Sequence, residues 1–225
     1  MSIDRVISAA KDGLLLEPET KIILSTLGIQ TTTCHQADTP EDAARIAGEI
    51  GYPVVLKALS PMLLHKSDTG GVELDLRNPE DVFRAYELIK DRAAKIDPNA
   101  GVTVQKMAPK GIEVIVGVTT DYQFGKVIMF GIGGILTELL KDVSFRLPPI
   151  DEYDARDMIG SLKSYQLLTG FRGSPSADID AIVDILLKVS KVVSDHPSIQ
   201  EMDLNPIIVY PKGAIVVDAR ARIGT

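Results

Sequence analysis

The sequence predicts an α+β protein of two lobes, with a boundary near residue 108. Up to that point amphipathic helices alternate with short apolar runs of strand length. Beyond it, pairs of strand-like runs flank tight turns, the pattern of hairpins. The chain has 225 residues, enough for one large domain or two small lobes with a real core.

In chain order, a first helix is expected from Glu17 to Leu27, ended by Gly28. Thr39-Pro40-Glu41-Asp42 and Asn78-Pro79-Glu80-Asp81 then start helices in the same way. Each supplies an N-cap, a proline at the first helical position, and acids where the helix dipole favours them. The helix after Thr39 stops at Gly51. The one after Asn78 carries Val82, Tyr86, Ile89, Ala93 and Ile96 at helical spacing. Strands are expected at Val54–Lys57, Val72–Leu76 and Val102–Met107. Ile112–Thr119 and Lys126–Phe130 form a hairpin around Asp121–Gly125, and Gly170–Pro175 is a surface loop. A helix from Asp178 to Ser194 precedes a last hairpin, Ile199–Tyr210 with Ala214–Ala219 around Pro211-Lys212-Gly213.

Composition narrows the class. Apolar residues make up 45% and charged residues 24%, ordinary for a globular protein. A net charge of −7 argues against a nucleic-acid binder but not against local phosphate binding. The single cysteine, Cys34, rules out an intrachain disulfide and suits a reducing compartment. The run Leu14-Leu15-Leu16 is short and flanked by acids, so it reads as neither signal peptide nor membrane span, and a cytoplasmic location is expected.

Several groups of residues can carry chemistry. Glu201, Asp203 and Asn205 are spaced by two, so in a strand they share a face, and the return strand brings Asp218 beside Asn205. Clustered carboxylates repel unless a cation joins them, and oxygen ligands next to phosphate suit Mg2+. The plain alternative is a solvated polar sheet face. Lys57 lies on an apolar strand, where an ammonium needs a partner, and a phosphate would serve. Downstream, His65-Lys66-Ser67-Asp68-Thr69-Gly70-Gly71-Val72 contains a Gly-Gly pair whose amides can face an anion, though it is not a Walker A sequence. A simple turn is the alternative there. Of the three histidines, His196 lies past a helix end, His35 lies in a polar connector, and His65 adjoins Lys66 and the Gly-Gly pair. His65 is thus the candidate general base or phosphoryl acceptor, since a nearby lysine favours the neutral, nucleophilic imidazole; a structural or solvated loop histidine is the alternative. Gln105-Lys106-Met107 leads through a proline to Gly111-Ile112-Glu113. Its backbone can meet an adenine edge, and Glu113 a ribose hydroxyl; an ordinary strand-to-strand crossover is the alternative, and on the residues alone the stronger one. Gly131-Ile132-Gly133-Gly134, ahead of Thr137-Glu138, reads as a hinge or docking loop.

These strings occur in the order Tyr52–Lys57, Leu64–Val72, Gly111–Glu113, Gly131–Gly134, Ser144–Pro149 and Glu201–Pro206. In that order the chain, from about Glu17 to Arg222, resembles the β subunit of ADP-forming (NDP-forming) acetyl-CoA synthetase. It is more distantly similar to the β subunit of succinyl-CoA synthetase. The resemblance implies an ATP-grasp fold, two α+β lobes with nucleotide between them. It divides the chain into an N-terminal segment 1–17 packing on the second lobe, a first lobe 18–108, and a second lobe 109–225 with a metal-binding hairpin. It implies the reaction acyl-CoA + ADP + phosphate ⇌ acid + CoA + ATP, by transfer of a phosphoryl group between a phosphohistidine and ADP/ATP. It assigns His65 to the phosphoryl relay, and Lys57, Gln105, Lys106, Met107 and Glu113 to the nucleotide; the loop reading adds Lys66, Gly70 and Gly71 to the nucleotide contacts. Asp203, Asn205 and Asp218 fall to Mg2+. With no Gly-x-Gly-x-x-Gly of Rossmann type in the chain, a CoA-binding α subunit is expected as obligate partner, in an α2β2 assembly. Two other readings stand beside it: a nucleotide-binding regulatory subunit, and an ATP-grasp carboxylate–amine ligase.

Overall fold

The computed structural model describes residues 2–10, 12–63, 66, 69–134, 142–170 and 175–224. The chain divides into two compact units: residues 1–15, 19–31 and 110–225, and residues 16–18 and 32–109. This division differs from the expected first lobe of 18–108 at residues 19–31. Ile23, Leu24 and Ile29 in that stretch are buried in the core of the larger unit, and their packing outweighs their place in sequence.

The smaller unit is a four-stranded antiparallel sheet, order β2-β5-β3-β4, backed by two helices. Its elements are β2 (His35–Ala37), α3 (Pro40–Ile50), β3 (Val54–Leu59), β4 (Val72–Leu76), α4 (Pro79–Ala94) and β5 (Gly101–Lys106). Both expected caps are made: the Thr39 and Asn78 side chains accept from the amides of Asp42 (3.1 Å) and Asp81 (2.9 Å). The α4 stripe of Val82, Ala85, Tyr86, Ile89 and Ala93 is buried with Val54, Leu56, Val102 and Val104 of the sheet. His35 is not in a connector. It begins β2, an edge strand whose backbone pairs with β5 (His35↔Val104), a ladder that needs no apolar side-chain pattern.

The larger unit holds α1 (Ile3–Ser8), β1 (Leu14–Leu15), α2 (Glu17–Thr26, its first two residues counted with the smaller unit), β6 (Ile112–Asp121), β7 (Gly125–Ile132) and β8 (Val143–Arg146). α5 (Glu152–Gly160), a short 3-10 turn at Tyr165–Leu167, α6 (Ile179–Asp195), β9 (Ile199–Val209), β10 (Ala214–Val216) and β11 (Ala219–Ile223) follow. Its antiparallel sheet runs β1-β11-β9-β6-β7-β8, with β10 also on β9. The core lies where α5 and α6 bury Met158, Ile182, Leu186 and Val189 with Phe130, Met202 and Leu204 of the sheet.

Two features of β9 place its polar residues. The register passes from Val116↔Leu204 to Val114↔Ile207, so Asn205 and Pro206 together oppose one residue of β6, a β-bulge. The extra residue keeps Met202, Leu204, Ile207 and Val209 all on the buried face, although their numbers change parity. The return strand breaks opposite the bulge, into β10 and β11, leaving Val217 and Asp218 between them.

Asp178 ties α6 to the last hairpin. Its carboxylate caps α6 at the Ala181 amide (3.0 Å) and accepts from the Gly213 amide (2.7 Å) in the turn before β10. The Gly213 and Ala181 amides hold its pKa below the ordinary 3.8. A depressed carboxylate stabilises the fold above its unfolded pKa, and that contribution disappears as pH falls through the folded value. Asp178→Ala is expected to cost about 1–2 kcal/mol at pH 7. The difference from wild type should shrink as pH is lowered from 7 through the depressed folded-state value, as measured by urea denaturation across that range.

Candidate functional site

In the smaller unit the strand lysine has a protein partner. Lys57, on β3, is 4% exposed, and its Nζ donates to Glu17 Oε1 at 2.8 Å. Lys66 Nζ donates to the other oxygen, Oε2, also at 2.8 Å. Glu17 Oε1 further accepts from Gln105 Nε2 (2.8 Å) and from the Cys34 thiol (3.7 Å), and Thr32 Oγ1 donates to Gln105 Oε1 (2.9 Å). The Glu17 side chain is only 1% exposed. A buried carboxylate persists only when its lone pairs are filled and its charge met, and this one has both. So Lys57, Lys66 and Gln105, three residues singled out in the sequence, do converge. What holds them together is Glu17, which sequence reading used only as the start of a helix. The one available signal was its type: an acid in the first turn of a helix that also starts an apolar stretch.

The loop after β3 begins at Ser60, whose hydroxyl donates to Asp97 (2.6 Å), and it closes where the Gly71 amide donates to the Lys66 carbonyl (2.6 Å). Gly70 has φ +65°, and a Cβ there would come within 2.8 Å of the Arg92 guanidinium, which donates to the Gly70 carbonyl. His65 lies outside the described residues.

Lys106 and Met107 have local duties. Lys106 Nζ donates to the carbonyls of Gly51 and Tyr52 (2.8 Å each), and the Met107 amide to Pro53 O (3.1 Å). In the larger unit, Glu113 is exposed on β6 and its carbonyl accepts from the Gly133 amide at 2.7 Å. A Cβ on Gly133 would lie 2.9 Å from Glu113 Cβ, and one on Gly131 the same distance from Val143 Cγ1. The glycines expected as a hinge or docking loop therefore serve close packing: Gly131 is within β7, and Gly133 lies against β6. Thr137 and Glu138 lie outside the described residues.

The bulge on β9 brings Asn205 to Asp218: the Asn205 amide donates to the Asp218 carbonyl at 3.1 Å. The break in the return strand is fixed from α2, where Lys21 donates to the Val217 carbonyl at 2.8 Å. Along the same face of β9, Asp203 pairs with Arg220 (3.2 Å) and Glu201 with Arg222 (3.9 Å) across the strands. That part of the polar face is thus an ion-pair ladder. Among the described residues there is no cluster of three or more His, Cys, Asp or Glu side chains able to hold a metal.

A model of the ATP-grasp domain matches residues 6–223. The chain is 49% identical over 224 residues to the acetate–CoA ligase [ADP-forming] II subunit beta of Pyrococcus furiosus, covering 97% of this chain and 94% of that one. The chain belongs to the ATP-grasp family, in the branch of ADP-forming acetate–CoA ligase β subunits. Among solved structures it superposes on the dinucleotide-forming acetyl-coenzyme A synthetase 1 of Ca. Korarchaeum cryptofilum in complex with coenzyme A and Ca-AMPCP. The TM-score is 0.92 at 46% identity, over 99% of this chain and 100% of that one. A second structure of the same synthetase, with coenzyme A and Mg-AMPPCP and its phosphohistidine segment pointing towards the nucleotide binding site, matches with TM-score 0.84 and 45% identity over 99% and 100%.

For this ATP-grasp subunit the buried cluster makes a stability prediction that needs no substrate. Removing one partner of a buried ion pair leaves the other charge uncompensated. Lys57→Met, close in volume, is expected to destabilise the protein by about 3 kcal/mol. Lys106→Met, at an exposed site, should cost under about 1 kcal/mol. Chemical denaturation of the two variants checks the contrast.

Proposed function

We propose that this chain is the nucleotide-binding subunit of an ADP-forming acyl-CoA synthetase. It carries the phosphoryl group between a phosphohistidine and ADP/ATP in the reaction acyl-CoA + ADP + phosphate ⇌ acid + CoA + ATP. The single observation that carries the reading is the match, nearly end to end at 49% identity, to an ADP-forming acetate–CoA ligase β subunit. The thioester chemistry then belongs to a CoA-binding α subunit, with which this chain forms an α2β2 assembly. No helix among the described residues is long and apolar enough to cross a membrane, and the cytoplasm is the compartment this reading implies.

The residues divide by role. Lys57 and Lys66 neutralise phosphate oxygens, and Gly70 and Gly71 shape the loop that carries Lys66, Gly70 against Arg92 and Gly71 through its amide to the Lys66 carbonyl, so the amide expected to face an anion at Gly71 is already engaged. Gln105 to Met107 run beside the adenine edge, and Glu113 takes a ribose hydroxyl. His65 accepts and returns the phosphoryl group. Asn205 and Asp218, whose backbones meet at the bulge, carry side-chain oxygens of the kind that suit Mg2+, which takes one or two carboxylates and completes its shell with phosphate and water. Asp203, paired with Arg220, is the weaker ligand of the three. Mg2+, when bound, withdraws charge from the phosphates. This chain's own contribution is then positioning and fixed charge.

Incubation with Mg2+ and γ-labelled ATP, with and without the CoA-binding partner, tests the relay. Acid-labile, base-stable label is expected on this chain and absent in His65→Asn. Label that survives in His65→Asn rejects the relay. Asp218→Asn removes one anionic ligand and should raise the Mg2+ concentration needed for nucleotide binding by about tenfold, as one lost charged contact implies. An unchanged Mg2+ dependence removes Asp218 from the ligand set.

A further inference from the structure

We propose that Glu17 is the positioning residue of the phosphate site: its buried carboxylate holds the ammonium groups of Lys57 and Lys66 side by side, aimed for the phosphates of a nucleoside di- or triphosphate. The inference rests on the assignment of the two lysines to the nucleotide made above.

The two lysines arrive from different pieces of chain. Lys57 sits in the middle of β3, hydrogen-bonded through β5 and β4 on both sides, so the sheet fixes its backbone. Lys66 lies in the loop that follows, between Ser60 and Gly71. Two ammonium groups brought together repel, and a phosphate site that needs both must hold them in place before the ligand arrives. Glu17 does this with separate oxygens, each 2.8 Å from one Nζ. Each ammonium gives Glu17 one of its three N–H donors, so a single carboxylate sets the spacing of the two cations.

A second possibility is that Glu17 mimics a phosphate and leaves when the nucleotide binds. The surroundings of the carboxylate oppose it. Oε1 also accepts from Gln105 of β5 and from Cys34 just before β2, and the side chain is 1% exposed. Gln105 is itself held by Thr32 (2.9 Å) and lies near Thr103 Oγ1 (3.3 Å). A carboxylate held by donors from four pieces of chain is a fixed strut. The two roles predict opposite signs: neutralising a strut weakens nucleotide binding, and neutralising a competitor tightens it.

The test is calorimetric titration of the whole chain with ADP and Mg2+, on wild type, Glu17→Gln, Glu17→Asp, Lys66→Met and the double variant Glu17→Gln/Lys66→Met. Thermal unfolding of each is run in parallel. Glu17→Gln is expected to weaken ADP binding by about tenfold or more, within the range of coupling for residues in contact. Glu17→Asp keeps the charge and should recover part of the loss. The double variant should lose less affinity than the product of the two single losses, because Glu17 acts partly through Lys66. A residue needed only for folding would lower the melting temperature without coupling to Lys66 in ADP affinity. Wild-type affinity or tighter binding in Glu17→Gln overturns the proposal. If that variant does not fold, Glu17→Asp decides: weaker ADP binding with native secondary structure supports the strut, and unchanged affinity overturns it. A wild-type chain that binds no ADP overturns the nucleotide assignment and this inference with it. Wild-type binding with an indifferent Glu17 overturns only the inference.

Discussion

A carboxylate taken out of water costs several kcal/mol unless donors replace its hydration and a cation meets its charge. In the smaller unit that condition falls on Glu17, and meeting it brings together the first turn of α2, the middle of β3, the loop carrying Lys66, the residue before β2, and β5. Each of these pieces has its own local reason to exist. The sheet has its own apolar support: Val54, Leu56, Val102 and Val104 are fully buried with residues of α3 and α4. Apolar packing of that kind tolerates small shifts; a carboxylate with four donors does not. The polar cluster therefore adds definition to a sheet that hydrophobic burial already stabilises, and it does so where the candidate phosphate-binding lysines stand.

The larger unit answers a different constraint. A strand buried on one face must keep its apolar residues at every second position, and β9 changes parity between Leu204 and Ile207. The bulge at Asn205–Pro206 absorbs the mismatch. Because the extra residue kinks the ladder, the return strand separates at Val217–Asp218, and Lys21 satisfies the Val217 carbonyl that the break exposes. The proposed Mg2+ ligands Asn205 and Asp218 thus sit at a local departure from regular pairing. The regular part of the same face, by contrast, spends its acids on cross-strand arginines. This is a physical ground for separating Asp203 from Asn205 and Asp218, which spacing by two treats alike.

Much of this was legible in the sequence, and the parts that were not share a cause. α3 and α4 were readable because cap, proline and acids all fall in sequence neighbours. The β6–β7 hairpin and the β9 return were readable from turn residues between apolar runs. α1, with six residues, and β2, with three, carry too few positions for a period to appear. α5 has a capping box, but with Asp154 at the position where glutamate or glutamine is the usual signal. β8 was present in the sequence only as part of the string Ser144–Pro149. In the site, the residue types were visible one by one, and the partner of Lys57 was not. Glu17 and Lys57 are 40 positions apart, and nothing in a single sequence links two residues at that distance. A rule that each buried ammonium needs an anion gives the right question. Here the structure supplies a side chain for at least part of the answer, where sequence alone suggested the ligand.

The two lysines also differ in what it takes to move them. Displacing Lys57 would disturb a strand paired on both sides, at the cost of several ladder bonds and the burial around them. Releasing the Lys66 side chain breaks its bond to Glu17, a charge-assisted hydrogen bond of about 1.5–3 kcal/mol. The Gly71–Lys66 link is a backbone hydrogen bond and does not depend on that side chain. The backbone of Lys57 is set by the sheet, and that of Lys66 by the turn that its carbonyl closes with the Gly71 amide. Glu17 joins the two: one carboxylate oxygen on each ammonium ties the loop's lysine to the sheet's.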